Sequence, residues 1–524
     1  MPATRDKIML PMQHADLLLT NGNLITLDDS RPRATAVAVS NGKILALGSD
    51  RELEKLTIPQ TQRINLENKT LTPGFIDSHI HLYWFGSQLL RQADLVGATS
   101  IDEILNRLSQ LKSNRPTGWL QGHGFDHDKL REKQFPTRAD LDRISKTQPI
   151  IISRICGHAT VANSPALALL SPDERSKGDQ HSGLYTETAA WAFYKLIPDL
   201  SEEEAQQAIL AAAKIALQTG ITTVQTMLDT PNQMIGYSRL HRQNRLPLRV
   251  VAMPPFSAID DLHKYGLRSR FGDDRLQFGA CKLFSDGSLG AQTALLSDPY
   301  ADKPTTRGLR FYDPADLKQK CRIAEQNGFQ LAIHAIGDQA LRETIDAIEY
   351  ALEGASNQLH RHRVEHASLC PPDCLERLAK IQTVVTIQPQ FVTSDTWTLN
   401  RLGPTRTPHA YPFKSMLSAG IPIALSSDCP VEKLDAFDTL AAAVGRHDWS
   451  PHETLTPLEA LRAYTLGSAH AAFLEKSLGS LQVGKLADFV ILSADPTNLS
   501  APQLRNLKAE KVFIAGQCVS EMTQ

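Results

Sequence analysis

One stretch of the sequence decides the fold: Pro73-Gly74-Phe75-Ile76-Asp77-Ser78-His79-Ile80-His81. The Pro-Gly pair marks a turn that leads into an apolar run, and this pattern predicts a β-strand. Side chains alternate between the faces of a strand, so the imidazoles of His79 and His81 point to the same face. Two such imidazoles at a strand end can hold one metal ion together. The stretch therefore predicts a metal site, with hydrogen-bonded structural histidines as the alternative for an isolated His-x-His pair.

Composition describes an ordinary globular protein. The chain has 524 residues, enough for one large enzyme core with accessory parts. Hydrophobic residues make up 42% and charged residues 21%, which is typical of a folded soluble domain. The 55 basic and 57 acidic residues give a formal net charge of −2, so nothing indicates nucleic acid or an anionic membrane as a partner.

Cysteine usage and the first residues bear on location. The 7 cysteines form no framework of paired spacings, which indicates reduced thiols. Residues 1–21 lack the pattern of a signal peptide, and no stretch approaches the roughly 18 apolar residues of a membrane span. We therefore expect a cytoplasmic protein, and a homodimer is left open.

The two ends of the chain have the same sequence pattern, namely short apolar runs separated by turns. Short alternating runs near the N-terminus are broken by Asn21-Gly22 and Asn41-Gly42, which are hairpin signals. Similar runs occur at 487–492 and 511–517. Because neither end has enough strands to bury a face alone, residues 1–72 and 476–524 are predicted to form one small β-sandwich domain.

The middle of the chain alternates strands and helices. The predicted strands follow the opening stretch at 221–226, 249–252, 280–284, 330–334, 363–366, 384–388 and 422–427. Eight βα units predict an α/β fold with a TIM (β/α)8 barrel over residues 73–475.

One interval is too long for a loop. Residues 84–200 separate the first two barrel strands, whereas ordinary βα loops have about 2–6 residues. We expect an inserted subdomain over the active site, with 150–154 as a strand outside the barrel.

Metal-binding residue types recur at the predicted strand ends. Active sites of such barrels lie at the carboxyl ends of the strands. Those ends carry His79, His81, Lys282, His334, His366 and Asp428. A single histidine in a strand is most often structural, but four at strand ends converge on one cavity.

These motifs together resemble the metal-dependent amidohydrolase superfamily. Within it, the chain is similar to the branch that includes N-substituted formamide deformylase and YtcJ-type hydrolases. The resemblance covers nearly the whole chain and is carried by residues 72–81, 282–290, 334–338, 363–366, 426–430 and 479–488.

The resemblance implies a ligand set for two divalent ions. His79, His81 and Asp428 would bind the more buried ion, while His334 and His366 would bind a second, more exposed one. Lys282 matches the position of a carboxylated lysine that bridges two metals, with a salt bridge to Asp286 as the alternative. Zn²⁺ is the expected metal, because it suits imidazole combined with oxygen ligands.

The resemblance also implies a function, namely hydrolysis of a C–N bond in a small amide, N-formyl, N-acyl or cyclic amide substrate. Asp428 would accept a proton from a metal-activated water and deliver it to the leaving nitrogen. His366 or the second metal would polarise the carbonyl group. His158, Asp286 and Trp84 are the expected substrate contacts, although His158 could serve helix capping and Trp84 could serve core packing.

Two other functions are kept open. A deaminase of the same superfamily typically carries a glutamate shortly after the fifth-strand histidine, where this chain has Asp338. A non-catalytic binding or regulatory protein would be expected to have lost a ligand, and none is lost here.

Overall fold

The computed structural model of the protein describes residues 14–114, 117–154, 159–353, 360–446 and 450–521. The strands in these ranges are β1 (Leu17–Thr20), β2 (Asn23–Ile25), β3 (Arg33–Ala34), β4 (Ala36–Ser40), β5 (Lys43–Gly48), β6 (Gln62–Asn65), β7 (Thr70–Pro73), β8 (Phe75–Ile80), β9 (Gln92–Asp94), β10 (Leu120–Phe125), β11 (Ile150–Arg154), β12 (Ala159–Ala162), β13 (Leu184–Thr186), β14 (Ile221–Met227), β15 (Arg249–Met253), β16 (Leu276–Phe278), β17 (Cys281–Phe284), β18 (Leu331–Ala335), β19 (Arg363–His366), β20 (Val384–Ile387), β21 (Ile423–Leu425), β22 (Phe489–Leu492), β23 (Ala509–Ile514) and β24 (Gln517–Glu521).

The helices in the same ranges are α1 (Asp50–Leu53), α2 (Leu82–Arg91), α3 (Ile101–Asn114), α4 (Arg138–Asp142), α5 (Ser164–Leu169), α6 (Pro172–Arg175), α7 (Glu187–Tyr194), α8 (Glu202–Gln218), α9 (Pro231–Arg242), α10 (Ile259–Lys264), α11 (Pro314–Gln326), α12 (Asp338–Leu352), α13 (Pro372–Ile381), α14 (Phe391–Ser394), α15 (Thr398–Arg406), α16 (Phe413–Ser418), α17 (Ala436–Val444), α18 (Pro457–Arg462), α19 (Ser468–Ala471) and α20 (Ala501–Arg505). Among the described residues, no helix combines the length and apolar character needed to cross a membrane.

The chain divides into two compact units. One consists of Met1–Leu82 with Ala213–Gln524, and the other is Tyr83–Ala212. The interval 84–200, predicted to be an insert, lies inside the second unit. Its exact boundaries, like those of the two-ended β-sandwich, stay a prediction.

Parallel strands form the centre of the first unit. All eight predicted strands are present within a few residues of their expected bounds, as β8, β14, β15 and β17 to β21. They lie in two sheets, ordered β16-β15-β14-β8 and β17-β18-β19-β20-β21, and every neighbouring pair is parallel. Most of their residues are buried, as expected of a parallel sheet covered on both faces. The predicted α/β fold is confirmed.

Strands from both chain ends share one sheet of the same unit. This sheet has the order β24-β23-β22-β7-β2-β3, and β22 pairs antiparallel with β7. A second sheet has the order β5-β4-β1-β6. One apolar cluster joins the two sheets and includes Leu19, Val37, Leu71, Phe489 and Phe513.

The unit Tyr83–Ala212 has a sheet of its own, ordered β13-β12-β11-β10-β9. The strand predicted at 150–154 is its β11. Helix α3 packs Ile104, Leu105 and Leu108 into a cluster with residues of β10 and β11. His158, the expected substrate contact, lies outside the described residues.

A buried ion pair links the parallel strands to the end sheet of the first unit. The guanidinium of Arg249, at the start of β15, donates from Nε and Nη2 to Asp488 over 2.6 and 2.9 Å, and Asp488 directly precedes β22. Both side chains are 2% exposed. Removing two charges from water is costly, so each partner depends on the other.

We expect Asp488→Asn to lower the free energy of unfolding by about 3–5 kcal/mol, because it leaves the exposed carboxylate of Asp274, 3.1 Å from Nη1, as the counter-charge of the buried Arg249. Denaturant unfolding followed by circular dichroism measures this. Glu54→Gln, which removes one partner of the exposed pair between Glu54 and Arg63, is the matched control and should change stability little. Equal losses in the two variants would contradict a special role for the buried pair.

Candidate metal centre

The six candidate metal residues come together at the carboxyl ends of the parallel strands. They are His79 on β8, His81 directly after it, Lys282 on β17, His334 on β18, His366 on β19 and Asp428 three residues after β21. They form a continuous chain of contacts. The side-chain atoms of three pairs lie 3.3–3.6 Å apart, and the ring centroids of three histidine pairs lie 4.4–5.9 Å apart. Period-two alternation explains the first pair, since His79 and His81 share one face of β8.

Three of these residues form a set that can hold one ion. The Oδ1 atom of Asp428 lies 3.3 Å from Nε2 of His79 and 3.6 Å from Nε2 of His81. One ligand atom from each residue lies within 4.8 Å of the others. Two imidazole nitrogens and one carboxylate oxygen are the donors that Zn²⁺ commonly takes from proteins. The donor set therefore fits a divalent metal.

His366 is held in a defined tautomer by Gln388. The amide nitrogen of Gln388 donates to Oγ of Ser426 (2.9 Å) and to the carbonyl oxygen of Thr386 (3.3 Å), so its Oε1 faces Nδ1 of His366 at 2.7 Å. In the neutral ring Nδ1 is then the donor and Nε2 carries the lone pair. This arrangement favours His366 as a metal ligand over His366 as a hydrogen-bond donor to a carbonyl.

His334 and Lys282 complete the cluster. The ring of His334 lies 4.4 Å from that of His366, but its Nε2 is 2.9 Å from the carbonyl oxygen of Gly287. That hydrogen bond leaves Nδ1 of His334 as its acceptor. The Nζ of Lys282 lies 3.4 Å from Nε2 of His79.

Burial controls the electrostatics of the cluster. It lowers the pKa of His81 to about 4 and of His334 to about 3, and the charge of Lys282 adds to both shifts. It also holds the pKa values of His79 and His366 well below the usual range. The imidazoles are therefore neutral near pH 7, which is the form that binds metals.

The same burial acts on the other two members of the cluster. It lowers the pKa of Lys282 to about 8 and raises that of Asp428 to about 8, although Lys282 opposes the latter shift. A cation beside Asp428 would favour its carboxylate form.

Two of the candidate residues have an unusual backbone. His366 has φ 77° and Asp428 has φ 56°, in the left-handed region that non-glycine residues seldom adopt. Such conformations concentrate at functional sites. In a regular strand, Glu365 and His366 would face opposite sides; the left-handed turn at His366 instead lets both side chains contact His79.

Glu365 is a functional residue that sequence reasoning missed. Its carboxylate accepts from Nδ1 of His79 through Oε2 and from Nε of Arg363 (2.8 Å) through Oε1. Arg363 also donates to the carbonyl oxygen of Ser78 over 2.6 Å. A carboxylate that holds Nδ1 fixes the ring so that Nε2 faces the ligand position. The signal was the Arg-x-Glu alternation immediately before His366.

Asp77 is a second missed residue. It lies two positions before His79, on the same face of β8, and accepts from the amide of Ser427 (3.1 Å) and the hydroxyl of Tyr464 (3.1 Å). Burial raises its pKa to about 6. It ties β8 to the segment that carries Asp428.

Asp286 is fully buried beside the centre. Its carboxylate accepts from the amides of Leu295 (2.8 Å), Ile336 (3.0 Å) and Gly337 (2.8 Å). These bonds fix the loops after β17 and β18, and its predicted contact with substrate stays a prediction. Among the described residues, Lys282 and Asp286 make no contact, so the alternative ion pair is not observed. Trp84 lies on α2 with 44% of its surface exposed, and its predicted role is likewise untested.

Comparisons with known proteins place this chain in a family. Residues 62–520 match the model of the "Amidohydrolase family". YtcJ of Bacillus subtilis (strain 168), an amidohydrolase by name, is 33% identical over 95% of this chain and 98% of its own length. N-substituted formamide deformylase of Arthrobacter pascens is 28% identical over 98% of this chain and 99% of its own. An uncharacterized metal-dependent hydrolase from Pyrococcus furiosus has a TM-score of 0.82 at 33% identity, over 92% of this chain and 100% of its own.

Strand-end histidines and a buried aspartate on a parallel α/β framework are the arrangement expected of a metal-dependent hydrolase. The chain belongs to the amidohydrolase family. It is a hydrolase that acts on C–N bonds other than peptide bonds.

The contact between Glu365 and His79 predicts a loss of metal affinity in Glu365→Gln. The variant keeps the shape of the side chain but loses the charge that orients and strengthens the imidazole, so affinity should fall about 10–100-fold. Chelator competition followed by metal analysis measures this affinity. Metal analysis of the wild-type protein also gives the number of ions per chain.

Glu343→Gln is the matched control for this measurement. Glu343 is another buried glutamate with an arginine partner, Arg310, and no contact with the centre is recorded for it among the described residues. Its affinity for the metal should equal that of the wild type. Unchanged metal affinity in Glu365→Gln would show that Glu365 does not support the metal ligands.

Proposed function

We propose that this protein hydrolyses a small amide-type substrate, such as an N-formyl, N-acyl or cyclic amide, with a metal-activated water. The observation that carries the proposal is the set of His79, His81 and Asp428 at the carboxyl strand ends of an amidohydrolase-family chain. The names of the relatives YtcJ and N-substituted formamide deformylase support the same chemistry.

We also propose that the eight parallel strands close into a (β/α)8 barrel. Hydrogen bonds across both gaps between the two sheets support closure. The amide of Asp428 donates to the carbonyl of His79 (2.9 Å) and the amide of His81 to that of Cys429 (2.8 Å), which links β8 with the segment after β21. On the other side, the amide of Lys282 donates to the carbonyl of Pro254 over 2.8 Å, which links β17 with the end of β15.

A divalent cation held by His79, His81 and Asp428, most simply Zn²⁺, would supply a water acidified enough to act as nucleophile near neutral pH. Asp428 is the proposed proton carrier, because its Oδ1 lies 3.3 Å from Nε2 of His79 and 3.6 Å from Nε2 of His81, the nitrogens that would hold the ion. It can then return the proton to the leaving nitrogen.

A second ion is proposed between His334 and His366, bridged by a carboxylated Lys282. The support is positional: Lys282 is 4% exposed and its Nζ lies 3.4 Å from the imidazole of His79. An unmodified ammonium contributes no lone pair, whereas a carbamate oxygen could serve both ions.

Asp428→Asn tests the proposed reaction. Asparagine keeps the shape and one oxygen ligand but cannot accept the proton. We expect the chemical step to slow by roughly 10²–10⁴-fold, in line with the loss of a general base. Steady-state turnover of N-formyl, N-acyl and cyclic amides by metal-loaded protein, with metal content measured in parallel, checks this. Turnover within a few-fold of wild type, with the metal retained, would assign the proton to another group.

Two aromatic rings beside the centre suggest the substrate class. Phe284 is 38% exposed, and its ring centroid lies 5.3 Å from that of His334 and 4.7 Å from Nζ of Lys282. The ring centroid of Phe391 lies 6.2 Å from that of His366. An accessible ring next to the proposed ligands provides an apolar surface for the group attached to the scissile bond. We therefore propose substrates that carry an apolar substituent there.

Phe284→Ala should raise the KM of N-aryl or N-alkyl substrates more than that of unsubstituted formamide, by about 10-fold, because it removes apolar contact area. Phe284→Leu should retain most of the preference. Tyr265→Ala, which removes an exposed ring elsewhere on the same unit, is the control. Parallel losses for bulky and small substrates would exclude Phe284 from substrate choice.

The position of Asp338 disfavours the deaminase alternative. Its carboxylate accepts from the amide of Ser297 (3.0 Å) and pairs with Arg342 (2.8 Å) at the start of α12. It is therefore occupied by structural contacts. The non-catalytic alternative is disfavoured because all six candidate residues are present and gathered. Cytoplasmic location and a homodimer stay predictions.

A further inference from the structure

A cavity of about 910 Å³ lies in the first unit, among the segments that precede β18 and β19. The wall includes Gln330, Arg361 and His362, which lie at the amino ends of these strands. In contrast, His334 and His366 lie at the carboxyl ends. His366 lies five positions after Arg361, and the last four of these form β19, which corresponds to roughly 16 Å at about 3.3 Å per residue. The cavity is therefore separate from the metal centre.

The wall of this cavity carries an excess of positive charge. Arg361 is neutralised by Glu475, with two contacts of 2.8 Å. Arg268, Arg270 and Lys476 also line the cavity, and for none of them is an ion pair recorded within the described ranges. Glu325 is the acidic wall residue without such a partner in those ranges. Three cations against one carboxylate in a concave wall concentrate positive potential there.

Part of the wall is held in a fixed and unusual conformation. The guanidinium groups of Arg270 and Arg361 lie 5.1 and 4.5 Å from the ring centroid of Phe473. All three residues have left-handed backbone angles, with φ values of 71°, 47° and 60°. Non-glycine residues pay for this conformation in free energy, and such positions cluster at ligand clamps and active sites.

His362 adds a buried hydrogen-bond donor to the same wall. It is 2% exposed, and its Nδ1 accepts from the amide of Leu331 over 3.2 Å, so the proton of the neutral ring is on Nε2. No partner for Nε2 is found in the part of the chain that the structure describes. A buried donor without an acceptor is costly, so this part of the wall contains an uncompensated polar group.

We propose that this cavity binds a small-molecule oxyanion, a phosphate monoester or a carboxylate with an aromatic body. Arg268, Arg270 and Lys476 would neutralise the oxyanion. Phe271, which is 54% exposed in the wall, offers a ring face to the aromatic body. The volume lies in the range of small-molecule sites, about 300–1,000 Å³.

Calorimetric titration of the metal-loaded protein with phenyl phosphate and with benzoate tests this site. Removing two of the three cations in Arg268→Ala/Lys476→Ala should weaken binding by at least about tenfold, which is 1.4 kcal/mol. Tighter binding of phenyl phosphate than of benzoate assigns a phosphate ester as the natural ligand class, and the reverse order assigns a carboxylate. Phenol, which lacks the oxyanion, should not bind.

Arg51→Ala/Lys55→Ala is the matched control, since it removes one exposed arginine from helix α1 and one exposed lysine from the short 3₁₀ turn Glu54–Leu56 that follows it. Its affinity should stay within about twofold of the wild type, because distant surface charges are screened by salt. Circular dichroism of each variant verifies the fold, and Arg270→Gln provides an independent substitution in the same wall. Equal affinities in wild type and Arg268→Ala/Lys476→Ala, or equal losses in the control, would overturn the proposal; either result would place the anion elsewhere, such as at the metal centre.

Discussion

Burying several ionisable side chains in one place is the constraint on which this structure depends. An isolated charge inside a protein costs several kcal/mol unless it is paired and hydrogen-bonded. Arg363 and Glu365 meet this requirement together: their side chains are 1% and 0% exposed, and they pair over 2.8 Å. Arg363 also bonds Ser78 on β8 and Thr386 on β20. The ion pair of Arg363 and Glu365 therefore offsets the cost of burying both charges. It also connects β8, β19 and β20 and holds His79 in place.

This arrangement explains why the centre is built on strands rather than on loops. A metal site needs its donors within a few tenths of an ångström of their final positions, and strands hold them more firmly than mobile segments do. Asp428 lies beyond the end of its strand, and it is secured by backbone bonds to β8 and by the contact of Asp77 with Ser427. The polar network thus supplies the rigidity that the segment after β21 lacks by itself.

The sequence predicted the eight parallel strands and the six clustered residues because both depend on local periodicity. His79 and His81 follow the two-residue alternation of a strand, and the other candidates stand at the ends of apolar runs. The role of Glu365 was not predicted, because the Arg-x-Glu alternation before His366 does not identify its partner His79, which lies 286 positions away in the sequence. The left-handed turn at His366 gives no signal in the residue type. The short strand β16 was also missed, since three residues carry too little periodicity to be recognised.

The hydrogen bonds of the centre bear on the order in which ions would enter it. Nε2 of His79 already faces the carboxylate of Asp428, so the three-donor set needs little rearrangement to receive an ion. His334 instead donates Nε2 to the carbonyl of Gly287, and coordination through that nitrogen would break a bond worth about 1 kcal/mol net. A second ion would in addition require Lys282 to become an anionic carbamate. The site of His79, His81 and Asp428 is therefore the one expected to fill first, and it contains the proposed proton carrier by itself.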